Sequence, residues 1–102
     1  MIGIYLCDDE DAARHQIQTA LEWKILVENY DMKVVCSAAN ARELLAAAQG
    51  ERHGIYFLDV ELKDGEWDGF RLGRELRQRD PYGTLVYITS YGNRYHATLG
   101  CS

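Results

Sequence analysis

Apolar residues in this chain come in short unbroken runs: IGIYLC at 2–7, VVC within 32–37, IYFL at 55–58 and LVYI at 85–88. A run apolar on both faces suits a strand buried between helices in a parallel sheet. Between the runs the period lengthens to that of a helix. Ala13, Ile17, Ala20 and Leu21 predict a helix over about residues 11–26, and Ala41, Leu44, Leu45 and Ala48 predict a second. Asn40 and Glu43 form a capping box before the second helix, and Gly50 closes it. Gly69, Leu72, Gly73 and Leu76 mark the buried side of a third helix, after a polar loop at 61–68 that contains Gly65. Asp80-Pro81-Tyr82-Gly83 reads as a turn. Residues 91–102 start like a helix but carry little pattern.

Four strands alternating with three helices make βαβ units, which place helices on both faces of a parallel sheet. The expectation is an α/β, doubly wound parallel sheet in one domain spanning residues 1–102. Hydrophobic residues at 47% and charged residues at 26% agree with an ordinary globular domain, and 102 residues lie at the lower end of what buries a comfortable core.

Candidate chemistry sits where strands end. The first run is followed by Asp8 and Asp9, and the third ends in Asp59. In open parallel sheets ligands bind beyond the carboxyl ends of the strands, so these acids are expected to meet at one edge. Crowded carboxylates repel, and protonation or a divalent cation relieves the repulsion. The alternative for the run Asp8 to Asp11 is that it only favours the start of the first helix. The fourth run ends in Thr89 and Ser90, whose plain alternative is that of β-branched and polar strand-end residues.

A net charge of −5 argues against this chain gripping nucleic acid phosphates by itself, and the arginines at 71, 74, 77 and 79 read as a solvated helix face. No leader pattern or bilayer-length apolar run is present, which points to the cytoplasm and away from a membrane. Cys7, Cys36 and Cys101 lack paired spacing and read as reduced thiols, and His15, His53 and His96 show no ligand spacing.

Taken together, Asp8-Asp9 after the first strand, Asp59 ending the third and Thr89 ending the fourth resemble the receiver domain of two-component response regulators. The stretches FLDVELKDGEWDG and RELRQRDPYGTLVYITS are most similar to receivers of the LytTR class, whose members usually carry a C-terminal DNA-binding domain. The resemblance implies a flavodoxin-like (CheY-like) fold, incomplete at the C-terminus, with about four of five βα units in this chain. It implies that Asp59 is the phosphoacceptor for a sensor histidine kinase, and that Mg²⁺ is held by Asp8, Asp9, Asp59 and the backbone carbonyl of Glu61. Thr89 is then the switch hydroxyl, with Ser90 ranked second. Such a module is not an enzyme in its own right, and DNA would be reached only through the C-terminal domain.

The chain departs from the family in two ways. The loop after Asp59 is longer and free of proline, and the phosphate-pairing lysine with its fifth strand and last helix would lie past Ser102. An uncovered fourth strand and first helix then predict a homodimer or exchange of elements. Two other functions compete. The Asp9-Glu10-Asp11 segment also resembles the DxD motif of haloacid dehalogenase phosphatases, and the missing lysine suits an unphosphorylated pseudo-receiver.

Overall fold

The computed structural model describes residues 1–91 and 94–100, with the side chains of Ser90, Tyr91, Arg94 and Tyr95 left aside. The elements in order are β1 (Ile2–Cys7), α1 (Asp11–Glu28), β2 (Met32–Ala38), α2 (Ala41–Ala47), β3 (Ile55–Asp59), α3 (Gly69–Arg79), β4 (Thr84–Tyr91) and β5 (Arg94–Leu99). They form one sheet in the order β2-β1-β3-β4-β5. The pairs of β1 with β2, β1 with β3 and β3 with β4 are parallel.

Helix signals in the sequence hold with small shifts. The Asn40 side chain accepts a hydrogen bond from the Glu43 amide at 2.9 Å, the first half of a capping box, while the Glu43 carboxylate accepts at 3.4 Å from the amide of Ala39, one residue before the cap. Gly50 adopts φ 81° just past α2, a backbone state that costs a glycine nothing. Helix α1 runs two residues beyond the expected 26 and stops where Asn29 turns left-handed, its amide bonding back to Leu26.

Successive strand residues point to opposite faces, which divides the core. Tyr5 and Cys7 of β1, Tyr56 and Leu58 of β3 and Leu85 of β4 pack with Leu44 of α2 and Leu72 and Leu76 of α3. Helix α1 lies on the other face, over β1 and β2.

One expectation is overturned. Among the described residues of 91–102 no helix begins: residues 94–99 are strand β5, antiparallel to β4 from Val86↔Leu99 to Tyr91↔Arg94. The fourth strand is therefore paired on both sides, not exposed; β5 runs antiparallel to it and bears no lysine, so it is not the lysine-bearing fifth strand that the resemblance implies. The signal was present as Gly92-Asn93 between two β-prone segments, residue types favoured in two-residue hairpin connections. Cys101 and Ser102 lie outside the described residues.

At the amino-terminal end of the strands a polar cluster is fully paired. The Asp80 carboxylate, 3% exposed, accepts from the His53 amide at 2.9 Å, the Gly54 amide at 2.9 Å and the Tyr56 hydroxyl at 2.7 Å. Burial pushes its pKa up, but the three donors outweigh that and hold it below the ordinary carboxylate range. Tyr56 stacks on Tyr5, whose hydroxyl donates to Glu51 at 2.6 Å. Turn 80–83 is thereby tied to the chain entering β3.

Replacing Asp80 by Asn turns one acceptor oxygen into a donor facing donors. Asp80→Asn is expected to lower stability by about 1–3 kcal/mol in urea unfolding at pH 7. A depressed native pKa stabilises above the unfolded value, so this difference should hold at neutral pH. It should shrink as the pH falls below about 4 and through the native pKa. A difference between variant and parent that does not change with pH would contradict the assignment.

Candidate functional site

The register of β1 against β3 brings distant acids together. Cys7 pairs with Leu58, so Asp8 follows β1 beside the place where Asp59 ends β3. One carboxylate oxygen from each of Asp8, Asp9 and Asp59 lies within 4.8 Å of the others. Asp8 is buried, Asp59 half-buried and Asp9 exposed, so the cluster is sunk into the sheet edge with one side open to water.

Local backbone bonds orient these carboxylates. The Glu10 amide donates to Asp8 Oδ1 at 2.9 Å, and the Glu61 amide donates to Asp59 Oδ1 at 3.0 Å. Asp8 therefore does not act as a side-chain cap for α1, whose cap residue is Glu10 and makes no side-chain cap bond. The plain reading of Asp8 to Asp11 as helix-start acids survives for Asp11, which lies in the first turn.

Electrostatic stress gathers at the same point. Burial raises the Asp59 pKa to about 6, the Glu61 amide pulls against it, and the charges of Asp8 and Asp9 push further up. Asp8 is raised as well, first by burial and then by Asp9, with the Glu10 amide opposing. The set of donors is oxygen only, and the exposed side admits water. A hard divalent cation such as Mg²⁺ fits a few carboxylates, a carbonyl and waters.

Thr89 stands at the same end of the sheet. Ile88 pairs with Asp59, and the Val60 amide donates to the Ile88 carbonyl at 3.1 Å, so Thr89 is the next residue along β4. It is half-buried, and its own pairing partner on β5 is His96. The Ser90 side chain lies outside the described set.

Several residues around the acids escaped the sequence reading. Arg14 donates to the Asp8 carbonyl at 2.8 Å and to Asp11 at 2.7 Å, fixing the turn that presents Asp8 and setting a cation at the rim. Its spacing of three from Asp11 was the available signal. The loop at 61–68 looked merely polar, yet Leu62 is buried in the core and Asp64 Oδ2 accepts from the Ala41 amide at 2.9 Å. The long segment is thus pinned to the start of α2. Asp68 in turn caps α3, accepting from the Arg71 amide at 2.8 Å.

Gly69 explains how α3 starts so near the site. A methyl group on its Cα would collide with the backbone carbonyl of Asp59. Gly69→Ala is expected to cost about 1–3 kcal/mol in thermal or urea unfolding and to shift the amide resonances of Asp59, Val60 and Glu61. Unchanged resonances in a stable variant would show that the contact is slack.

Comparison with known proteins agrees with this geometry. The family described as "Response regulator receiver domain" matches residues 4–100. Accessory gene regulator protein A of Staphylococcus aureus (strain N315) is 30% identical over 97 residues, covering 94% of this chain and 40% of that protein. Its counterpart from Staphylococcus epidermidis is 26% identical over the same length. The chain thus spans well under half the length of these curated relatives. Among solved structures, the REC domain of AraT, a response regulator from Geobacillus stearothermophilus, aligns with TM-score 0.72 and 25% identity, over 88% of this chain and 65% of that one. Response regulator protein TrrA from Thermotoga maritima, solved in complex with Mg²⁺-BeF, aligns with TM-score 0.70 and 21% identity, over 90% of this chain and 72% of that one.

Proposed function

The chain belongs to the response regulator receiver domain family, and from that premise we propose that Asp59 takes a phosphoryl group from the phosphohistidine of a sensor kinase. The observation that carries this reading is the convergence of Asp8, Asp9 and Asp59 at one sheet edge, with their oxygens within 4.8 Å. Asp59 is half-buried and oriented by the Glu61 amide, and the open side of the cluster leaves it accessible to a donor.

In the transfer, a carboxylate oxygen of Asp59 bonds to phosphorus while the phosphorus–nitrogen bond breaks, and the electron pair leaves with the imidazole. Asp8, Asp9, Asp59 and the backbone carbonyl of Glu61 would hold Mg²⁺. The ion supplies charge neutralisation on the moving phosphoryl oxygens. Phosphorylated Asp59 carries roughly two negative charges and three acceptor oxygens. The Thr89 hydroxyl, on the neighbouring strand, gains an acceptor and is drawn toward it. Arg14 and the Glu10 amide keep the Asp8 turn in place throughout.

In this reading the module is a switch and not an enzyme with turnover of its own. It works in the cytoplasm and reaches DNA through a C-terminal domain of the LytTR type. No helix among the described residues is long and apolar enough to cross a membrane. The family match over residues 4–100 supports the receiver reading over the dehalogenase-type phosphatase, which would leave Asp59 without a role.

Incubation with radiolabelled acetyl phosphate and Mg²⁺ should label the chain on Asp59, and Asp59→Asn should abolish labelling with the fold retained by circular dichroism. Asp9→Asn should raise the Mg²⁺ concentration needed by tenfold or more, a loss of about 1.4 kcal/mol in metal binding. Beryllofluoride with Mg²⁺ should move the resonances of Asp59 and Thr89. Label on Asp9 would overturn the assignment, and the absence of both labelling and beryllofluoride response would make the chain a pseudo-receiver.

A further inference from the structure

Arg14 is the only lysine or arginine before Lys24, and it lies one helical turn past the acidic run Asp8 to Asp11. Its side chain engages that run at two points. One guanidinium nitrogen donates to the Asp8 carbonyl at 2.8 Å, and the other donates to Asp11 Oδ1 at 2.7 Å. The Arg14 side chain is 18% exposed, whereas that of Asp11 is 86% exposed. A planar fork that spans a carbonyl and a carboxylate fixes their relative placement, which a single flexible ammonium does not.

The carbonyl that Arg14 holds belongs to the Asp8–Asp9 peptide. Of the three clustered carboxylates, Asp8 is oriented by the Glu10 amide and Asp59 by the Glu61 amide, but among the described residues no hydrogen bond holds that of Asp9. Asp9 is also the exposed member of the cluster. The direction in which its side chain leaves the backbone is therefore set by the peptide before it, and Arg14 grips that peptide at its oxygen. The helix start offers no side-chain substitute, since the cap residue Glu10 makes no side-chain cap bond.

We infer that Arg14 is a positioning residue for the cation site: held in place by Asp11, it aims the Asp8–Asp9 peptide so that the Asp9 carboxylate joins those of Asp8 and Asp59 around one divalent ion. This rests on the receiver reading above, in which these acids hold Mg²⁺, and it adds two residues that are not themselves ligands.

Two effects of Arg14 on such a site oppose each other. Its positive charge repels a cation, and its grip on the peptide pre-forms the place where the cation binds. Asp11 cancels most of the charge at 2.7 Å, and water and salt screen what remains beside so exposed a carboxylate. A misdirected ligand is a larger penalty, because Mg²⁺ demands near-octahedral geometry. Loss of groups that orient ligands without being ligands typically costs a metal site about 10–100-fold in affinity. Positioning therefore outweighs charge, and removing this cation weakens the binding of another.

Mg²⁺ titration of the chain, followed at the amide resonances of Asp9, Asp59 and Glu61, reads the dissociation constant without any phosphodonor. Arg14→Gln is expected to weaken binding about tenfold, and Arg14→Lys, which keeps the charge and loses the fork, to a smaller degree. Asp11→Asn should weaken it too, and the double variant should bind no more weakly than Arg14→Gln alone, because the two residues act as one unit. Charge alone gives a different pattern: tighter binding in Arg14→Gln, no change in Arg14→Lys and a double variant close to the parent. That pattern, or parent-like affinity in folded Arg14→Gln and Arg14→Lys, would overturn the inference. Because Asp11 is exposed, Asp11→Asn retains the fold, and parent-like affinity in it would overturn the inference even where Arg14→Gln unfolds. Lys24→Gln removes a charge from the same helix, where Lys24 pairs with Glu28 at 3.2 Å, and should leave the affinity unchanged; an equal loss there would also overturn it. A parent chain in which Mg²⁺ moves none of these resonances would sink the receiver reading and the inference together, whereas a parent that binds with variants that bind equally well sinks the inference alone.

Discussion

Repulsion among three carboxylates at one sheet edge is the constraint around which this molecule is arranged. Parallel pairing of β1 with β3 forces Asp8 next to Asp59, and burial deprives both of much of the water that would screen them. The backbone amides of Glu10 and Glu61 offset part of the cost, but the Asp59 carboxyl still sits at about 6. Such a cluster is held by the covalent and hydrogen-bonded frame around it, not by its own attraction. It is therefore suited to respond when charge is added or neutralised.

The opposite end of the sheet shows the contrasting arrangement. Asp80 is also a buried carboxylate, yet it accepts from two amides and a tyrosine hydroxyl, and its pKa falls. The same type of group is therefore relaxed at the amino-terminal end of the strands and stressed at the carboxy-terminal end. The first end fixes the turn into β4 and the entry to β3, and the second is left available for chemistry. Gly69, pressed against the Asp59 carbonyl, and Asp64, bonded to the Ala41 amide, connect the stressed end to α3 and α2. A change at Asp59 is thereby adjacent to the start of α3.

The two faces of the sheet are unequal in a related way. Helices α2 and α3 close one face with buried leucines, whereas among the described residues α1 alone covers part of the other and leaves Phe57 and Ile88 lining a groove. Strand β5 closes the β4 edge but adds no helix. Strand β5 is itself the outer strand on that side, with Leu99 exposed, so the edge is moved outward and not removed.

The sequence by itself determined the parallel sheet order's raw material and most of its acids. Runs such as IYFL bounded by Asp59 specify buried strands because no other local structure hides both faces of so short a segment, and Asn40 with Glu43 specifies a helix start through a bond between residues only three apart. Local chemistry suffices there. What the tertiary structure alone decided depends on partners far away along the chain: the register that joins Asp8 to Asp59, the burial of Leu62, the reach of Asp64 to Ala41, and the pairing of residues 94–99 with β4 in preference to a helix. A strand has no internal hydrogen bonds, so whether a short ambiguous segment becomes one is settled by the edge available to receive it.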